Sequence, residues 1–155
     1  MSKVLVIAPH PDDETLGCGG TLLKHKNQGD EVFCLLVTNI DSKHGWDSDV
    51  VKRRQKEIQM VSNYYSFKEC IKLDYGTTKM DQIPTSDLVM SIAKVVKDIK
   101  PEIIYINFWD DVHTDHKVIF QAAYSCTKSF RYPFVKEVLI YETLSETDYS
   151  PPNNS

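Results

Sequence analysis

No stretch of this chain approaches the roughly 18 consecutive apolar residues that a membrane-spanning helix needs. The short apolar run near the amino terminus, Val4 to Ala8, stops at Pro9, below the ~7–15 residues of a signal-peptide core. Both absences point to a cytoplasmic protein. Positive charge is not in excess either. Against 22 Asp and Glu stand 18 Lys and Arg, for a net charge of −4, so the electrostatic footprint of a nucleic-acid binder is missing. The one dense basic cluster, Lys52, Arg53, Arg54 and Lys56, reads as the solvated face of a helix. Cysteine is sparse and scattered. Cys18, Cys34, Cys70 and Cys126 form no C-x-x-C pair, which excludes a zinc-finger or disulfide scaffold and fits reduced, mostly buried thiols. Repeats, low-complexity tracts, a phosphate-cradling P-loop, a G-x-S-x-G elbow and a catalytic-cysteine context are all absent.

What remains is ordinary globular composition, with 155 residues that are 41% hydrophobic, enough for one domain spanning 1–155 with a real core. Apolar, β-branched runs at Val4–Ala8, Glu31–Thr38, Cys70–Tyr75, Glu102–Asn107 and Glu137–Glu142 read as strands. Helical spacing falls between them, over Glu14–Gln28, Asp49–Tyr65, Pro84–Lys100 and Thr114–Ser129. This alternation predicts an α/β fold, a Rossmann-like three-layer arrangement with a mostly parallel sheet and helices on both faces. Ligands of such sheets bind at the carboxyl ends of the strands, where strand order reverses. That rule singles out the loops Pro9–Thr15, Asn39–Asp47 and Phe108–Thr114.

Two of these loops hold nearly all the reactive polar residues. Pro9-His10-Pro11-Asp12-Asp13-Glu14 follows the first strand, and Asp111-Val112-His113-Thr114-Asp115-His116 follows the fourth. Strands one and four are neighbours at the switch point of a doubly wound sheet, so the clusters should face each other. Acidic residues in a first helical turn also serve the helix dipole, and Asp13, Glu14 and Asp115 could each do only that. Converging His and Asp from both loops need more, because buried unpaired carboxylates are costly. A divalent metal would hold several together. Two His and one carboxylate suit zinc with an open fourth position, and iron(II), manganese or cobalt are also compatible. A spare carboxylate could take a proton from water, and a further histidine could donate to an oxyanion. The parts describe metal-assisted hydrolysis. The nearby Leu16-Gly17-Cys18-Gly19-Gly20 is not a dinucleotide fingerprint, since Leu22 stands where the third Gly is required. These glycines are expected to let the first helix approach the sheet closely.

Ala8-Pro9-His10-Pro11-Asp12-Asp13-Glu14, with Leu16 and Gly19-Gly20, resembles the opening motif of the PIG-L/LmbE-like deacetylases. Asp111-x-His113-x-Asp115-His116 resembles the family's second motif, Arg54-x-x-Glu57 a third, and Tyr141-Glu142 is similar as well. The resemblance implies a zinc-dependent amidase that removes N-acetyl groups, typically from N-acetylglucosamine-containing molecules. Carried over, it makes His10, Asp13 and His116 the metal ligands and Asp12 the general base. It makes His113 the oxyanion stabiliser and proton donor, with Asp115 orienting a histidine. Arg54 would help hold a polar or anionic part of the substrate, with Arg53 as the alternative one register away, and Glu14 would orient or cap.

The expected partner is therefore a small N-acetylated sugar or sugar conjugate, without nucleic acid or membrane span. Homo-oligomer formation stays open. Two other readings are a related amidase acting on another amide, and a non-catalytic metal- or sugar-binding fragment. The segment Thr38-Asn39-Ile40 departs from the family's Thr-x-Gly, so the following loop is expected to differ, with Trp46 either lining the site or packing in the loop. The chain stops where family members continue, so a short or truncated carboxyl terminus is expected. Residues 150–155, rich in Pro, Asn and Ser, have no apolar anchor and should be loosely held.

Overall fold

The structure, a computed structural model, describes residues 1–152. Its centre is one sheet of five strands, β1 (Lys3–Ala8), β2 (Glu31–Asn39), β3 (Glu69–Gly76), β4 (Ile103–Asn107) and β5 (Glu137–Tyr141). The order is β3-β2-β1-β4-β5, and every neighbouring pair is parallel. Four long helices, α1 (Asp13–Gln28), α2 (Ser48–Tyr65), α3 (Thr85–Ile99) and α4 (Thr114–Ser125), make the crossovers. A four-residue helix, α5 (Leu144–Thr147), follows β5. This is the three-layer α/β fold expected from the strand–helix alternation.

The strands read as continuous apolar runs because both faces are covered. Side chains alternate between two cores. Leu5, Ile7, Leu35, Val37 and Ile104 meet α3 and α4 through Leu88, Ile92 and Ile119. Val4, Val6, Cys34 and Leu36 meet α1 and α2 through Leu22, Ile58 and Tyr65. The four cysteines are free thiols, three of them buried.

β1 is central. β2 flanks it on one side and β4 on the other, so the loops leaving β1 and β4 emerge side by side at the carboxyl edge. The β1 loop is tied down further: both the backbone N–H and the hydroxyl of Thr38 donate to the Pro9 carbonyl, at 3.0 and 2.8 Å.

Three local features differ from the sequence reading. α4 ends at Ser125, not Ser129, because the hydroxyls of Ser125 and Thr127 each donate at 2.7 Å to a carbonyl of the last turn, competing with continued helix. β3 carries an irregularity, with its register against β2 shifting between Leu36 and Thr38 and Asp74 at φ 57°. α5 has no sequence signature long enough to recognise. Of the carboxyl-terminal segment expected to be loose, Ser150 is anchored, its N–H donating to Thr147 O at 3.0 Å and its hydroxyl to Asp110 O. The expectation for 153–155 lies outside the described residues.

The α1 glycines divide. Gly17 lies under the Tyr141 ring, so closely that an added Cβ would collide with its Cδ2 and meet the Glu142 carbonyl at 3.0 Å. Tyr141 is locked there by its hydroxyl, which donates to Ile7 O at 2.7 Å. Around Gly20 there is nothing within 4 Å, so the close-approach reading does not extend to it. The two positions should respond oppositely to alanine. Overpacking at Gly17→Ala should destabilise by about 1–3 kcal/mol, whereas Gly20→Ala should stabilise by up to ~1 kcal/mol through helix propensity. Urea denaturation of the two variants checks the signs.

Candidate metal centre

The β1 loop turns into α1 through Asp12, which has φ 145° and ψ −24°. This is a costly conformation for a non-glycine residue, of the kind concentrated at functional sites. The Asp12 N–H donates to Glu14 Oε2 at 3.1 Å, and Glu14 also accepts from the Thr15 hydroxyl at 3.2 Å. Glu14 thus braces the turn. The Asp12 side chain makes no capping bond and stays free, whereas Asp13, one residue on, is turned inward and buried.

Asp13 Oδ2 lies 3.4 Å from His10 Nδ1 and 3.1 Å from His116 Nε2. The ligand-type atoms of His10, Asp13 and His116 all lie within 4.8 Å of one another. Each ring is held from behind by a separate carboxylate. His116 Nδ1 pairs with Asp111 Oδ2 at 2.7 Å, and His10 Nε2 pairs with Asp115 Oδ2 at 2.9 Å. These pairings leave His116 Nε2 buried with no hydrogen-bond partner and direct His10 Nδ1 at the same point. Backing of a ring by a carboxylate on its far nitrogen is the usual arrangement behind a metal-binding histidine. The residues present therefore fit a divalent cation.

A second grouping, His10, His113 and Asp115, is also compact, but its atoms are committed. Asp115 accepts from His10 and from the N–H groups of Thr78 at 2.7 Å and Met80 at 3.4 Å. His113 Nδ1 accepts from the Asp115 N–H at 3.0 Å. A backbone N–H can only donate, so neutral His113 carries its proton on Nε2. Burial, and then the charge of His10, push the His113 ring below its ordinary value, so the neutral form is favoured at pH 7.

The charge pattern follows from burial and pairing. Burial alone would lower His10 and His116, but the nearby carboxylates, Asp115 and Asp13 for the first and Asp111 and Asp13 for the second, lift both to about 9. Burial would raise Asp13, yet the two rings hold it well below the usual carboxylate range. Burial raises Glu14 to about 7. Asp12 is also raised, by burial and then by Asp13. At neutral pH both rings of the metal-free cluster are therefore protonated, and one divalent cation would replace their two positive charges.

A cavity of about 250 Å³ adjoins the cluster on the α2 side. Its lining is mostly apolar, with Leu36, Ile58, Val61 and Phe67, and includes the charged side chains of Asp12, Glu14, Arg54 and Glu57. Arg54, not Arg53, faces this cavity, with its Nε 3.4 Å from Glu57. Trp46 is exposed and does not line it. The structure thus brings His10, Asp12, Asp13, His113, Asp115 and His116 together, with Arg54 at the adjoining cavity. The sequence reading missed Asp111 as the partner of His116, although it begins the second motif. It also missed Thr78 and Met80, which act through backbone N–H groups and leave no side-chain signal.

A carboxylate–histidine cluster at the switch point of a parallel sheet, beside an open cavity, defines an α/β protein with a candidate metal site. The chain belongs to the PIG-L family, described as GlcNAc-PI de-N-acetylase, which it matches over residues 5–127. It is 31% identical over 125 residues to the diacetylchitobiose deacetylase of Thermococcus kodakarensis, covering 76% of this chain and 46% of that protein. It is 26% identical over 128 residues to a probable N-acetyl-alpha-D-glucosaminyl L-malate deacetylase of Bacillus anthracis, covering 77% and 56%. Among solved structures, the N,N′-diacetylchitobiose deacetylase of Pyrococcus horikoshii, complexed with an inhibitor, superposes with a TM-score of 0.71 at 26% identity, covering 87% of this chain and 52% of that one. The chain thus spans about half the length of these relatives. Among the described residues, no helix is long and apolar enough to cross a membrane.

The raised rings set a pH dependence for metal-free protein. A histidine whose pKa rises from 6.5 to about 9 on folding contributes stability that is complete below 6.5 and lost as pH climbs through 9. Glu14, raised from 4.5 to about 7, adds a loss between those values. The thermal midpoint of chelator-stripped protein should therefore fall steadily from pH 6.5 to 9. Differential scanning fluorimetry in a constant-ionic-strength buffer series reads this directly.

Proposed function

We propose that the chain is a metal-dependent N-deacetylase that hydrolyses the acetamide of an N-acetylglucosamine-type sugar or sugar conjugate. The observation that carries the reading is the geometry around Asp13: one carboxylate oxygen shared by two imidazole nitrogens, one of them buried and unpartnered. His10, Asp13 and His116 are the proposed ligands. Zinc suits two imidazoles and a carboxylate, and iron(II), manganese and cobalt suit the same donors. When bound, the cation supplies Lewis-acid polarisation of a carbonyl oxygen and acidifies water.

The remaining residues divide the proton work. Asp12, free of capping duty and bordering the cavity, accepts a proton from the attacking water; burial and the Asp13 charge keep its carboxylate more basic than usual. His113 presents its Nε2–H to the carbonyl oxygen as charge develops there. The water oxygen bonds to the carbonyl carbon, the C–N bond then breaks as the amine nitrogen takes the proton that Asp12 removed from the water, and the free amine and acetic acid leave, the acid losing its proton to solvent as acetate. Asp115 orients His10, and the cavity containing Arg54 receives hydroxyl or anionic groups of the substrate. Sugar amides as substrates accord with the named activities of the relatives. Free thiols support a reducing compartment, the cytoplasm, and one domain spanning 1–155 carries the proposed ligands.

Paired variants separate the two aspartates. Asp12→Asn should keep its metal and lose about 10²–10⁴-fold in kcat. Asp13→Asn should instead bind metal weakly and regain activity with added zinc. Identical behaviour of the two would overturn the division of roles. Acetate release from N-acetylglucosamine derivatives should exceed release from N-acetyl amino acids. Bound metal with no hydrolysis of any amide would favour a binding module, and faster cleavage of non-sugar amides would favour a different amidase. Calorimetric titration in buffers of different ionisation enthalpy should show about two protons released per cation near neutral pH.

A further inference from the structure

We infer that Thr147, in the short helix after β5, is a positioning residue for the proposed metal centre, acting through Asp111 on His116. The inference rests on the reading of His116 as a ligand. Asp111 and His116 are fully buried, so the carboxylate that backs the ring has no solvent to complete its hydrogen bonding. One oxygen takes His116 Nδ1 at 2.7 Å. The other takes the Thr147 hydroxyl at 2.6 Å. That hydroxyl is itself oriented, because its oxygen accepts the Thr143 N–H at 2.9 Å. The acceptor site is thus filled and the proton is directed at Asp111. The result is a relay of donors, Thr143 N–H to Thr147 O–H to Asp111, with the ring held on the far oxygen and its Nε2 aimed at Asp13.

The same segment grips the β4 loop at three consecutive residues. Ser150 donates its hydroxyl to Asp110 O, Thr147 donates to Asp111, and Val112 N–H donates to Glu146 O at 3.2 Å. Only the middle bond reaches a group that backs a proposed ligand. A bond to a buried carboxylate is charge-assisted and stronger than a neutral one. Removing it leaves Asp111 Oδ1 without a partner and the carboxylate free to turn away from the ring. The region lies beyond residue 127, where the family match ends, so the motifs themselves do not specify it.

Zinc affinity of the full chain, measured by competition with a chromophoric chelator, tests this against a merely structural role. Thr147→Val keeps the shape and removes the hydroxyl. It should weaken zinc binding about 3–10-fold, less than the 10–100-fold typical of a group in direct contact with a ligand. Thr147→Ser should restore wild-type affinity. Ser150→Ala removes a neighbouring bond of the same strap and should lower the thermal midpoint without moving zinc affinity. Thr147→Val binding zinc as wild type, or Ser150→Ala weakening zinc equally, would overturn the inference while Asp111→Asn and His116→Ala still weaken binding. If His116→Ala leaves zinc affinity unchanged, the metal centre itself is wrong and the inference falls with it.

Discussion

A single buried carboxylate, Asp13, faces two imidazole rings at one point from which solvent is largely excluded. The surrounding arrangement follows from what that costs. Asp111 and Asp115 add two further buried carboxylates behind the rings, and so much negative charge in one dry place is unstable alone. Two protonated rings compensate it, as one divalent cation would. The raised rings and the depressed Asp13 are two expressions of the same pairing.

The parallel sheet supplies the convergence. Because β1 lies between β2 and β4, two loops that are about 100 residues apart in the chain leave the same edge together. Each neighbouring element then contributes one restraint. β2 holds the first loop through Thr38 and Pro9. The segment after the irregular β3 turns the N–H groups of Thr78 and Met80 onto Asp115. α4 is capped by His113, which fixes that ring's tautomer as a by-product of helix initiation. The segment after β5 closes over Asp111. The two loops are thus held from several sides by hydrogen bonds to neighbouring segments.

Binding and chemistry occupy adjoining space. The cavity with Arg54 and Glu57 opens on the α2 side and shares Asp12 with the cluster. Asp12 therefore stands between the proposed ligands and the space a substrate would fill, at the one strained backbone position of the motif. The strain turns consecutive aspartates to different tasks: Asp13 inward with the rings, Asp12 outward to the cavity. The cluster, its backing carboxylates and the adjoining cavity all lie within the described residues.

Much of this was legible beforehand. Apolar runs buried on both faces and helical spacing between them determine the strand–helix alternation through short-range stereochemistry alone. The two His/Asp motifs name six of the residues that meet, because their types and spacing carry the chemistry directly. Arg54 over Arg53 follows the motif register, and it is Arg54 that lines the cavity. What only the tertiary structure decided is which carboxylate backs which ring. Asp111 with His116, and Asp115 with His10, are pairings across space whose partners look interchangeable in a string of Asp and His. The contributions of Thr78 and Met80 are backbone groups, identical in every residue type, and could leave no trace in the sequence. Thr147 is an ordinary threonine until β5 and α5 carry it back over the β4 loop. Local chemistry is written in residue identity, whereas the hydrogen bonds that orient it depend on distances between segments that only the folded chain brings together.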